Sequence, residues 1–278
     1  MTRALRKLSL FSVKMWLVLA CAAHAADVAN AEIVQMERFH ASWSLDLPLT
    51  LGTTLVAVAG QYLYSNMDVE KEIKSRSELL PWDRRFAGRY SEATDVACRY
   101  ARGLALLPVA WAGVSVYRGD MAASEFGAFS LMFVQALSLQ SGINLAVRSL
   151  KVWPRPYMYA ESGDGAEKAK DAEGEAFGSF FSGHAASAFT VATFTGAFYS
   201  KIYPNSPYKS LVWASSMSLA GLVGVLRIAA GKHYPSDVLV GALVGAGASL
   251  AVLKIHEKVC KNVSFWAVPG SLGVFFTL

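Results

Sequence analysis

Charge is scarce in this chain of 278 residues. Asp, Glu, Lys and Arg make up 17% of it against 54% hydrophobic residues, where soluble domains carry about 25% charged residues. Six stretches contain none of the four charged types: residues 47–64, 103–117, 127–147, 185–200, 211–226 and 238–253. No run of Lys and Arg accompanies the net charge of +5, which argues against a nucleic-acid partner. Cysteine is nearly absent. Cys21, Cys98 and Cys260 show neither paired nor metal-ligand spacing and read as small apolar fillers. No internal repeat is visible.

What the chain does have is apolar segments in number. Most of the six stretches are shorter than the ~20 residues that span a bilayer comfortably. Six of similar length in one chain nevertheless point to membrane helices. Small residues at Gly221, Gly224, Gly241 and Gly245 would let such helices approach closely. The fold class expected is all-α: a multi-span membrane bundle of about six helices, its core formed by the later ones. Residues 1–25 read as a signal peptide or N-terminal anchor. Arg3, Arg6, Lys7 and Lys14 precede an apolar run, and small-x-small sites follow. Residues 26–102 hold a first helix and a polar loop, residues 103–260 the helical core, and residues 261–278 an extended tail. A second polar segment, residues 157–180, carries six acids and glycines at 163, 165, 174 and 178, the composition of a flexible loop.

Three polar clusters stand at the ends of apolar helices. The first runs from Arg148 to Arg155 and Pro156, the second is Ser182-Gly183-His184, and the third is Arg227, His233 and Asp237. A single histidine at a helix mouth is ordinarily a packed polar residue. Three arginines, two histidines and an aspartate at helix ends read instead as an anion site with a nucleophile. Arginine offers a planar fork of donors that matches phosphate oxygens two at a time. Ser182 and Gly183 sit just before a helix, where unpaired backbone N–H groups and the positive end of the dipole favour an anion. His184, next to that anion, can protonate a leaving oxygen. An aspartate four residues after His233 can hold one imidazole nitrogen and leave the other to attack.

The three clusters resemble the signature of the type 2 phosphatidate phosphatase superfamily, which includes lipid phosphate phosphatases, class A acid phosphatases and vanadium haloperoxidases. That signature is Lys or Arg, six residues, Arg-Pro; then Pro-Ser-Gly-His; then Ser-Arg, five residues, His, three residues, Asp. The spacings match at Arg148/Arg155/Pro156, Ser182/Gly183/His184 and Arg227/His233/Asp237. Arg148 stands where lysine is usual, Phe181 replaces the proline and Leu226 replaces the serine.

The resemblance implies that His233 is the nucleophile, Asp237 its orienting partner and His184 the general acid. Arg148, Arg155, Ser182, Gly183 and Arg227 would bind the phosphoryl oxygens. It implies no cofactor and no metal, since the arginines supply the positive charge. The implied substrate is a lipid phosphate or diphosphate in the bilayer. The implied location is a bacterial inner membrane with the site facing the periplasm. The eight Lys and Arg of residues 66–102 prefer the cytoplasmic side, against that orientation. Two other readings stand beside the phosphatase: a vanadate-dependent haloperoxidase of the same fold, and a non-catalytic anion-binding membrane protein.

Overall fold

The computed structural model describes residues 43–67, 73–101, 103, 107–119, 121–170, 174–268 and 271–276. The leader and Cys21 lie outside the described residues. Eight α-helices occur among the described residues: α1 Trp43–Asn66, α2 Glu92–Ala101, α3 Leu107–Tyr117, α4 Ala123–Arg148, α5 Gly163–Lys170, α6 Gly183–Ile202, α7 Lys209–Ala229 and α8 Pro235–Asn262. Two strands, β1 Val263–Val268 and β2 Ser271–Phe276, pair antiparallel after α8, with Val263 opposite Phe276. Among the described residues the α-helices run up to Asn262, and a two-stranded ribbon follows.

Among the described residues three helices, α4, α7 and α8, are long and apolar enough to cross a membrane. The six apolar stretches thus do not make six equivalent spans. In the stretch at 103–117 the described α-helix is Leu107–Tyr117, about 16 Å at 1.5 Å per residue and half of a bilayer core. The stretch at 185–200 became α6, whose Ala185, Ala186, Thr190, Phe194 and Phe198 are buried at the bundle centre. By contrast α7 and α8 keep much of their apolar surface outward, with Leu211, Leu222, Val225, Leu239 and Leu243 all exposed. Apolar side chains facing outward along two long helices belong in lipid, and the chain is a helical membrane protein.

The core lies where α4, α6 and α8 meet. Phe129, Phe133, Phe194 and Phe198 interlock there, the Phe129 and Phe198 rings crossing at 75° with centroids 4.9 Å apart. Helices α6 and α8 touch backbone to backbone. A Cβ on Gly245 would fall 2.1 Å from the Ala186 carbonyl oxygen, and one on Gly241 would fall 2.6 Å from that of Ser182. The close approach expected of these glycines is real, whereas Gly221 faces open space.

The acidic segment 157–180 is not a flexible loop where it is described. It forms a 3₁₀ turn at Pro156–Tyr159, the helix α5 and a second turn at Gly174–Phe177. Tyr157, Ala176 and Phe177 form a small buried cluster beneath it. Its return is stitched to its departure: Trp153 N–H donates to the Phe177 carbonyl at 3.0 Å, Arg155 N–H to Ala176 at 2.7 Å and Ser179 N–H to Trp153 at 2.9 Å. Gly163 takes φ +67° at the start of α5, and Gly165 lies within that helix, close against Ala160 and Tyr90.

Candidate active site

Four helix ends meet at one end of the bundle. These are the C-termini of α4 and α7 and the N-termini of α6 and α8, which carry Arg148, Arg227, the 182–184 cluster and Asp237. The segment 149–155 and the turn 230–234 add Arg155 and His233. The sequence positions that look remote are thus joined by an antiparallel bundle whose ends coincide.

His233 is buried, 2% exposed. Its Nδ1 lies 2.8 Å from the Ser179 carbonyl oxygen. A carbonyl only accepts, so Nδ1 carries the proton and Nε2 keeps its lone pair. Burial pushes the imidazole well below its ordinary pKa, and the charges of Arg155, Arg227, Arg148 and His184 push the same way. The ring is neutral at physiological pH. Ser182 N–H donates to the Asp237 carbonyl at 3.0 Å, which joins the second cluster to the third.

Asp237 does not take the imidazole N–H as the spacing led us to expect. Its Oδ2 stands 3.6 Å from Nδ1 and accepts instead from Ser179 Oγ at 2.6 Å and Tyr234 N–H at 2.8 Å. The aspartate fixes Ser179, and the Ser179 carbonyl fixes the ring. Spacing alone could not reveal Ser179 as the intermediary.

Ser182 caps α6, its Oγ accepting from Ala185 N–H at 3.4 Å, and is fully buried. Its hydroxyl proton remains to donate. Gly183 has a packing reason as well as a chemical one: a Cβ there would sit 2.6 Å from Asn144 Oδ1. Asn144, on α4, donates to the Phe181 carbonyl at 2.7 Å and clamps the turn before His184. His184 is half-buried and lies on the wall of a cavity of about 310 Å³ whose other walls include Trp111, Val191, Val212, Leu219 and Val223.

The arginines divide by partner. Arg148 donates Nε to the Gly178 carbonyl at 2.9 Å and Nη2 to Tyr64 Oη at 3.0 Å, with its guanidinium over the Tyr64 ring. Arg155 and Arg227 are 7% and 3% exposed, and the Nε of each is buried without a hydrogen-bond partner. A buried guanidinium N–H left unpaired is unfavourable unless an anion completes it.

The polar loop before α2 holds what sequence reasoning missed. Asp83 accepts from Ser236 Oγ at 2.6 Å and from Ser236 N–H at 3.3 Å, closing the first turn of α8. Ser91 N–H donates to the Ala230 carbonyl and Gly88 N–H to that of Pro156. Lys232 Nζ lies 5.4 Å and 5.1 Å above the rings of Tyr90 and Tyr157. Among the described residues no three of His, Cys, Asp and Glu group as metal ligands.

The sequence profile of the PAP2 superfamily matches residues 128–260. Over that segment, just under half of the chain, the protein is similar to the PAP2 superfamily. No curated protein matches the chain. Among solved structures, a transmembrane PAP2-type phosphatidylglycerolphosphate phosphatase from Bacillus subtilis aligns at 20% identity with a TM-score of 0.43, covering 77% of this chain and 96% of that one. The PAP2 segment takes in all three clusters. It leaves out Asp83, Tyr90 and the whole of α2 and α3.

Proposed function

We propose that this protein is a phosphatase that removes a phosphate from a lipid phosphate or lipid diphosphate at the membrane surface. The observation that carries the reading is a buried, oriented, neutral imidazole within the field of Arg155 and Arg227, each of which keeps a buried N–H without a partner. The lipid part rests on the apolar cavity beside His184, of a size that takes a small ligand. A chain entering it would lay its phosphate among Arg148, Arg155 and Arg227.

The chemistry follows from the groups present. Nε2 of His233 attacks phosphorus and forms the P–N bond as the P–O bond to the lipid breaks. His184 gives its proton to the departing alkoxide. Water then attacks the phosphohistidine and passes a proton to His184. The P–N bond breaks, inorganic phosphate leaves and both histidines return to their starting states. The arginines, the Ser182 hydroxyl and the Gly183 N–H hold the phosphoryl oxygens through the transition state. No step calls for a metal. The same reading places the protein in a bacterial inner membrane with the site facing the periplasm.

The test is phosphate release from a panel of lipid phosphates by the purified protein in detergent with excess EDTA. Turnover of lipid phosphates is expected to survive EDTA, and vanadate is expected to inhibit. Absence of release from every lipid phosphate, or activity that vanishes with EDTA and returns with magnesium, overturns the reading. Labelling of periplasmic-side cysteines by a membrane-impermeant reagent in cells tests the orientation.

A further inference from the structure

The phosphate pocket contains an anion of its own. Asp95 stands on α2, outside the PAP2 segment. Its Oδ1 accepts from Arg227 Nη1 at 2.6 Å, and its Oδ2 lies 3.7 Å from Lys232 Nζ. The three side chains are 16%, 4% and 9% exposed. Burial alone would raise the Asp95 carboxyl, but Lys232 and Arg227 outweigh it and hold the group below its ordinary value, ionised.

This carboxylate has two physical consequences. It grips one end of the Arg227 guanidinium without touching Nε, which stays unpaired. A planar fork held at Nη1 has little freedom left, so its remaining donors are aimed before substrate arrives. It also sets a negative charge directly against Arg227 and Lys232, two of the cations beside His233, where Arg148 and Arg155 add their charges. Four cations shielded from water would hold a phosphate dianion strongly, and every turnover ends with a phosphate dianion that has to leave. Affinity for the product is not useful binding.

We propose that Asp95 is a positioning residue with a second duty: it orients Arg227 and, as a fixed counter-anion, lowers the pocket's affinity for free phosphate so that product departs. The inference rests on the phosphatase reading and adds to it a residue from outside the matched segment.

The experiment is titration of inorganic phosphate into the full chain in detergent, with turnover of a lipid phosphate measured on the same samples. Asp95→Asn keeps the shape and removes the charge. We expect it to bind phosphate about tenfold more tightly while kcat falls and KM falls with it. A merely structural role moves phosphate affinity the other way. Asp95→Glu is expected to restore wild-type phosphate affinity, and adding Lys232→Met to Asp95→Asn is expected to reverse the tightening. Should Asp95→Asn lose its melting transition, Asp95→Ser decides in its place, with the same tightening of phosphate binding expected. Phosphate bound by the wild type with unchanged affinity in the folded variants overturns the inference and leaves the phosphatase reading standing. Phosphate bound by none of the proteins overturns both.

Discussion

His233 precedes the first turn of α8 and His256 lies near its far end, and each meets a buried aspartate. The two pairs are built differently. His233 gives Nδ1–H to a backbone carbonyl and keeps Nε2 unengaged, with its aspartate 3.6 Å away and arginines around it. His256 uses both nitrogens, Nδ1 on the Val252 carbonyl at 2.9 Å and Nε2 on Asp46 Oδ1 at 2.7 Å. Gln135 on α4 donates to the same Asp46 oxygen at 3.1 Å. The second cluster ties α1, α4 and α8 together roughly 28 Å along α8 from the first. Burial beside an aspartate does not make a nucleophile. An unengaged nitrogen and a cationic surround do.

The sharpest way to break this comparison is to remove each imidazole in turn. His233→Ala is expected to lower phosphate release at least about 10³-fold and to abolish acid-labile, base-stable labelling of the protein by radioactive substrate. His256→Ala is expected to keep turnover per folded molecule while losing about 3 kcal/mol of stability, because Asp46 is left buried without its imidazole. Thermal melts in detergent alongside assays separate the two, and equal chemical defects would abolish the distinction. Next in size is Asp237→Asn, which weakens the grip on Ser179 and so loosens the ring. Turnover is expected to fall about 10- to 100-fold with little change in KM.

Of these two pairs, only the first was legible in the sequence. His233 and Asp237 are four residues apart beside a charged run, whereas Asp46 and His256 are partners across nearly the whole chain. The three clusters and their shared location were likewise readable, since each ends or begins an apolar stretch. Ser179, Asn144, Asp83 and Asp95 were not. Each acts through a contact made by folding, and serine, asparagine or aspartate in a polar segment carries no spacing signal. Which apolar stretches face lipid was not readable for another reason: an uncharged stretch such as 185–200 reads the same whether protein or lipid surrounds it.

Two smaller effects refine the contrast. Gly245→Ala would press a methyl onto the Ala186 carbonyl and push α6 from α8. A stability loss of about 1–3 kcal/mol is expected, with reduced turnover, since α6 and α8 carry the two sides of the site. Finally, His233 is held neutral in the folded protein below the ordinary imidazole value of 6.5. The unfolded chain therefore binds the extra proton, and stability is expected to decline as pH falls below 6.5, by up to about 1.4 kcal/mol per unit until the folded ring protonates. Above 6.5 this contribution is flat. The slope is expected to shrink in His233→Ala, measured as melting temperature against pH.

The cap that Asp83 places on α8 bears on how this protein can be taken apart. The helix bearing Asp237 is closed by a side chain from a loop that ends before the matched segment begins, and Ala101, Leu107 and Trp111 wall the cavity from the same side. Residues 128–260 are therefore not a transplantable cassette. Grafted alone into another membrane scaffold they would carry every residue of the three clusters and still arrive with a frayed helix start, an Arg227 lacking its tether and a cavity open on one flank.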